Sequence, residues 1–114
     1  MRPLATVVAL ALACSCFALA SSRSRRERGA AVFTVSGCQH CHTVGGVGGH
    51  KGPDLSGVGR RRSKAAMREQ IVAGSKVMPA FGNVLGADEL HDLVVYLRSC
   101  RERPTRATRA AGTD

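Results

Sequence analysis

The strongest periodic pattern in the chain lies near its end. Leu90, Leu93, Val94 and Leu97 fall at i, i+3, i+4 and i+7, one continuous apolar stripe that predicts a helix with a buried face. Gly86 is a permissible N-cap, and Glu89 three residues later can reach back to it. Asp88 in the first turn and Arg98 near the end both complement the helix dipole. A second helix is predicted over Ser63 to Ala73: Met67 and Ile71 share a face, Ser63 suits the N-cap, and Gly74 follows where a C-terminal glycine belongs. Gly29 to Ser36 predicts a short first helix that Gly37 breaks.

Two loops separate these helices. Val44 to Gly59 is dense in glycine and holds Pro53, and Ser75 to Gly86 is punctuated by Pro79 and Gly82. A long loop in so small a domain is usually functional, wrapped around something. No stretch alternates convincingly as a strand, and there is no internal repeat. The expected class is all-α, with three to four helices and glycine-rich loops.

The flanks read differently from this centre. Leu4 to Ala20 is apolar almost throughout after Arg2, and Ala18-Leu19-Ala20 offers a small-x-small cleavage pattern, so residues 1–20 are expected to be a cleaved signal peptide. Two alternatives stay open: lipidation at Cys14 or Cys16, against which Ala11-Leu12-Ala13 lacks the usual upstream leucine, and retention as an uncleaved anchor. Residues 21–28 read as a polar linker, 29–100 as the domain, and 101–114 as a basic tail expected to be disordered. The expected location is the periplasm or the outer face of the plasma membrane.

Composition sharpens the picture. Beyond the leader, only Phe33, Phe81 and Tyr96 supply aromatic bulk, and so short a chain builds a small core that needs a staple or a prosthetic group. Lys and Arg number 17 against 8 Asp and Glu, which can steer a protein toward acidic protein surfaces, anionic lipid or nucleic acid. Arg23, Arg25, Arg26 and Arg28 cluster at one end and Arg101, Arg103, Arg106 and Arg109 at the other, with no interleaved aromatics for base stacking, which argues against a nucleic-acid reader. Of the five cysteines, Cys14 and Cys16 lie in the leader. The remainder, Cys38, Cys41 and Cys100, do not resemble a disulfide framework and point to chemistry at the close pair.

Cys38-Gln39-His40-Cys41-His42 is C-x-x-C-H, the signature of c-type haem attachment. On a helical turn, positions i, i+3 and i+4 share a face. Both thiols can then reach one edge of a porphyrin as thioethers while His42 offers its imidazole to the iron. Two rivals remain: a redox dithiol, which would follow a strand, and structural zinc, which needs four ligands drawn from Cys38, Cys41, His42, His50 or Cys100. For the sixth iron position Met78 is the best candidate, in a loop and followed by Pro79. Met/His ligation raises the reduction potential. Met67 reads as core, and His50 and His91 are weaker alternatives.

The ordered set of Gly29, Phe33, the C-x-x-C-H segment, Gly52-Pro53-Asp54-Leu55, Val77-Met78-Pro79-Ala80-Phe81 and the closing helix resembles the class I monohaem cytochrome c family of bacteria. The resemblance spans Gly29 to Cys100 and implies a small cytochrome c-like fold around one covalent haem c. It implies His42 and Met78 as the axial iron ligands, Cys38 and Cys41 as thioethers, and the Pro53 carbonyl as acceptor for the ligand histidine's other nitrogen. It places Gly29 and Phe33 where the first helix crosses the last, near Tyr96. Lys51, Arg60, Arg61 and Arg62 are candidate partners for the propionates, or a solvated charge run. Cys100 departs from the family pattern and reads as a buried free thiol.

The expected function is that of a single-electron carrier between periplasmic or membrane-bound redox proteins with acidic docking surfaces, not an enzyme. Two alternatives are a haem c subunit docked to a larger dehydrogenase or oxidase, and a haem sensor or peroxidase-like protein with an open iron site.

Overall fold

The computed structural model of the chain describes residues 21–103. The expected leader, with Cys14 and Cys16, and the tail from residue 104 lie outside the described residues.

Residues 21–35 form one helix, α1. The stretch 21–28, expected to be a linker, is therefore helical. Its Arg and Glu side chains are good helix formers, and tertiary contacts recruit them. Arg23 pairs with Glu27 one turn on at 3.4 Å, and the Arg28 guanidinium grips Asp92 at 2.7 and 3.4 Å. Asp92 is buried by this contact. Gly37, with φ 78°, ends the segment as the sequence predicts.

A 3-10 turn follows at Cys38–His40. Two strands, β1 (Thr43–Val44) and β2 (Val47–Gly48), then pair antiparallel, Thr43 opposite Gly48 and Val44 opposite Val47. Strands of two residues are too short to alternate, so neither was legible in the sequence. What makes the hairpin is its turn: Gly45 and Gly46 have φ 60° and 80°, the left-handed pair that a two-residue hairpin loop requires. The remaining elements are α2 (Val58–Arg61), α3 (Lys64–Ala73) and α4 (Ala87–Ser99). The short α2 begins inside the stretch expected to be all loop and runs past its expected end at Gly59.

The N-caps of α3 and α4 are those predicted. The Ser63 hydroxyl accepts from the Ala66 amide at 3.1 Å, and the Gly86 amide donates to Glu89 Oε2 at 2.8 Å. Helix α4 is the centre of the fold, with α2 and α3 packed against it. Its stripe of Leu90, Leu93, Val94 and Leu97 is buried together with Phe33, Val58, Met67, Ile71 and Cys100. Each fully buried aliphatic side chain of this kind contributes ~1.5–3 kcal/mol. Helix α1 crosses α4 at Gly29, where any side chain would strike the Asp92 carbonyl oxygen and, at 2.7 Å, Tyr96 Cβ. Glycine lets the two backbones meet there, and one turn later the Phe33 and Tyr96 rings pack at a tilt of 58° with centroids 5.7 Å apart. Residues 101–103 run back along the fold: Arg101 donates to the Gly59 carbonyl at 2.8 Å, and the Glu102 amide to Ser56 at 3.0 Å.

Candidate functional site

The break at Gly37 turns the chain sharply, so that the next residues coil on themselves. The amides of Cys41 and His42 both donate to the Cys38 carbonyl, at 3.2 and 3.0 Å. One helical turn thus gathers Cys38, Cys41 and His42, a 3-10 turn that the His42 amide extends with an i+4 bond. Both sulfurs are free and half-buried. Burial, and then the neighbouring Cys41, pushes the Cys38 thiol up, while a backbone hydrogen bond acts the other way, so this sulfur is a neutral thiol near pH 7.

The glycine-rich loop fastens this turn from the far side. The Gly49 amide donates to Gln39 at 2.8 Å, the Gly52 amide to Cys41 at 2.7 Å, and the Leu55 amide to Thr43 at 2.8 Å. The buried Thr43 hydroxyl donates to the Gly49 carbonyl at 2.7 Å. These bonds deliver Pro53 to His42, whose Nδ1 lies 2.8 Å from the Pro53 carbonyl oxygen. A carbonyl can only accept, so Nδ1 carries the proton and Nε2 keeps its lone pair free to ligate.

Met78 sits in the second loop, half-buried against the core. The loop is stitched shut: the Ser75 amide donates to the Met78 carbonyl at 2.8 Å, and the Met78 amide to the Ser75 hydroxyl at 3.2 Å. Further along, the amides of Phe81 and Gly82 return to the carbonyls of Ile71 and Val72 on α3, at 2.9 and 3.2 Å. Gln70 of α3 donates to the Met78 thioether at 3.8 Å. The sequence reading missed Gln70, since an amide on the half-exposed side of a helix reads as an ordinary helix former.

The weaker candidates fall elsewhere. Met67 is core, 3% exposed. His50 is exposed beside the Thr43 hydroxyl, at 3.5 Å. His91 is exposed and faces Arg25 of α1 at 3.3 Å. Lys51, Arg60, Arg61 and Arg62 are exposed, and Arg61 donates to the Asp54 carbonyl at 2.8 Å. A hollow of about 500 Å³ between α1 and α4, lined by Arg25, Arg28, Asp88, His91 and Asp92, includes none of the Cys38, Cys41, His42 or Met78 side chains. Cys100 is buried, as expected, its thiol donating to the Tyr96 carbonyl at 3.5 Å.

Residues 24–97 match the family model described as cytochrome c oxidase, cbb3-type, subunit III, a c-type cytochrome domain. The chain belongs to this family. Searches of the curated proteins and of the solved structures return no match. A domain of this c-type cytochrome family carries one covalently bound haem c with its iron, and transfers electrons through it. The residues present fit that group. Two thiols three apart and an imidazole with a free Nε2 stand on one turn, in a loop that backbone bonds hold in place. Among the described residues no group of three or more His, Cys, Asp or Glu side chains is arranged as a metal-ion cluster. The small, mostly helical fold agrees with the family, the two-stranded hairpin being the one sheet among the described residues.

Proposed function

We propose that the protein is a single-electron carrier whose haem c is joined to Cys38 and Cys41 and held at the iron by His42 Nε2 and the Met78 thioether. The observation that carries this reading is the His42–Pro53 hydrogen bond of 2.8 Å, which fixes the tautomer and the plane of an imidazole standing beside two free thiols. When bound, the haem supplies an iron that accepts and releases one electron at a time. The chain's own residues do the rest. Pro53 holds the proton on Nδ1 and thereby raises the basicity of the other nitrogen. The Ser75–Met78 turn holds the sulfur at a fixed place in the loop. With both ligands retained in either oxidation state, little rearrangement accompanies transfer, and the haem sensor and peroxidase-like readings lose the open site they need.

The proposed setting is outside the plasma membrane, after removal of residues 1–20. No helix among the described residues is long and apolar enough to cross a membrane. The chain is strongly basic, formally +9 and one charge less once Arg2 leaves with residues 1–20, which favours brief encounters with partners that present acidic docking surfaces. A second reading makes the domain a fixed haem subunit of a larger oxidase; the description of the family, an oxidase subunit, favours it.

One preparation tests these points. The matured protein should show c-type absorption bands that survive denaturation, an intact mass equal to the polypeptide from Ser21 plus one haem, and the weak near-infrared band of methionine on ferric iron. A colourless protein with both thiols free refutes the whole reading. High-spin iron without the near-infrared band refutes Met78 ligation. Co-migration with a solubilised oxidase through purification selects the subunit reading over the carrier.

A further inference from the structure

Gln70 makes two contacts with one nitrogen. Its Nε2 lies 3.2 Å from the Gly74 carbonyl oxygen and 3.8 Å from the Met78 sulfur. The first contact settles the orientation of the amide, because a carbonyl oxygen accepts and cannot face the amide's own oxygen. The nitrogen therefore points toward the sulfur as well, and its second hydrogen is free to donate to it. Gln70 is half-buried, and its backbone carbonyl accepts the Gly74 amide at 2.8 Å, so both its ends are tied to the start of the Met78 loop.

We propose that Gln70 is the residue that sets the electron-donating power of the Met78 sulfur, and through it the reduction potential. This rests on the reading of Met78 as an axial ligand. A proton held toward a thioether draws electron density off the sulfur. The sulfur then gives less density to the iron, which costs the oxidised state more than the reduced one. The partial positive charge of the amide NH₂ acts in the same direction. Gln70 is a positioning and tuning residue: it touches the ligand and not the iron. No proton is transferred, so the wild-type contribution does not vary with pH in the neutral range.

The test uses the full-length holoprotein. Oxidised wild-type protein is first examined for the near-infrared methionine band; its absence removes the ligation reading and this proposal with it. With the band present, Gln70→Leu removes the donor while keeping apolar volume. Loss of one neutral donor predicts about a threefold shift of the reduction equilibrium toward the oxidised form, ~30 mV lower at 59 mV per tenfold for one electron. The near-infrared band should persist at a changed position. An unchanged potential and band in Gln70→Leu overturn the proposal, whatever happens to stability.

Discussion

Gly52 offers the sharpest test of how the loop serves His42. A Cβ added there would lie 2.6 Å from the ring's Cε1, 2.8 Å from Nδ1 and 3.1 Å from Nε2. Carbon contacts settle at ~3.5–4.0 Å, so in Gly52→Ala the ring must retreat by about 1 Å. It has no free direction, because Nδ1 is held by Pro53 and, in the proposed ligation, Nε2 is committed to the iron. The Nδ1–oxygen distance of 2.8 Å then passes out of hydrogen-bond range. Losing that bond costs ~1 kcal/mol, and leaving its donor poorly solvated brings the total to ~2 kcal/mol. Guanidinium denaturation of the holoprotein should register this loss. A histidine without its acceptor is a weaker base, so the reduction potential should rise and the proton resonance of Nδ1 should move upfield. Gly46→Ala is the control: its Cβ meets nothing within 4 Å, yet its φ of 80° imposes ~1–2 kcal/mol of backbone strain. It should lose stability with the potential unchanged. If Gly52→Ala keeps the wild-type potential and Nδ1 resonance, the reasoning about the Pro53 contact is wrong.

Leu93 is 1% exposed at the middle of the α4 stripe, and Leu93→Ala should cost ~3–4 kcal/mol in the same denaturation experiment. Removing the carboxylate in Asp92→Ala should release α1 at Arg28, seen as faster amide hydrogen exchange over residues 21–28 with the α4 amides little changed. Two hydrogen bonds from Ser56, first its hydroxyl and then its amide, lower the Asp54 carboxyl below its ordinary value. Its contribution to stability is therefore whole above the ordinary carboxylate range and disappears as the pH falls through the lowered folded value; Asp54→Asn should flatten that part of an acid-unfolding curve. Burial pushes the Cys100 thiol up, so Cys100 should resist alkylation at pH 8 in the native protein and react within minutes once denaturant is added.

The sequence disclosed most where local chemistry alone decides the outcome. Ser63 and Gly86 cap their helices as read, because a cap involves only the next three residues. The α4 stripe and the Met67–Ile71 pair were legible because one helix face must be apolar wherever it packs. The C-x-x-C-H turn was legible by spacing, although its 3-10 geometry was not. What stayed hidden depends on partners far along the chain. Residues 21–28 looked like a linker because the Asp92 carboxylate that recruits Arg28 lies 64 positions away. Gln70 looked inert because its meaning comes from a loop that folds back over the end of α3. Val58 carries α2 into the core through a contact with α4 that no local pattern announces.

The stitching of the second loop has a consequence for access. Phe81 and Gly82 bond to carbonyls in the last turns of α3, and the Ser75–Met78 turn closes the loop on itself. In the proposed ligation, drawing the Met78 backbone off the iron has to fray the end of a helix whose Ile71 is in the core. Cyanide or imidazole competing for the metal would wait on that partial opening. Their binding rate should level off at high concentration, at the rate with which this corner of the molecule breathes.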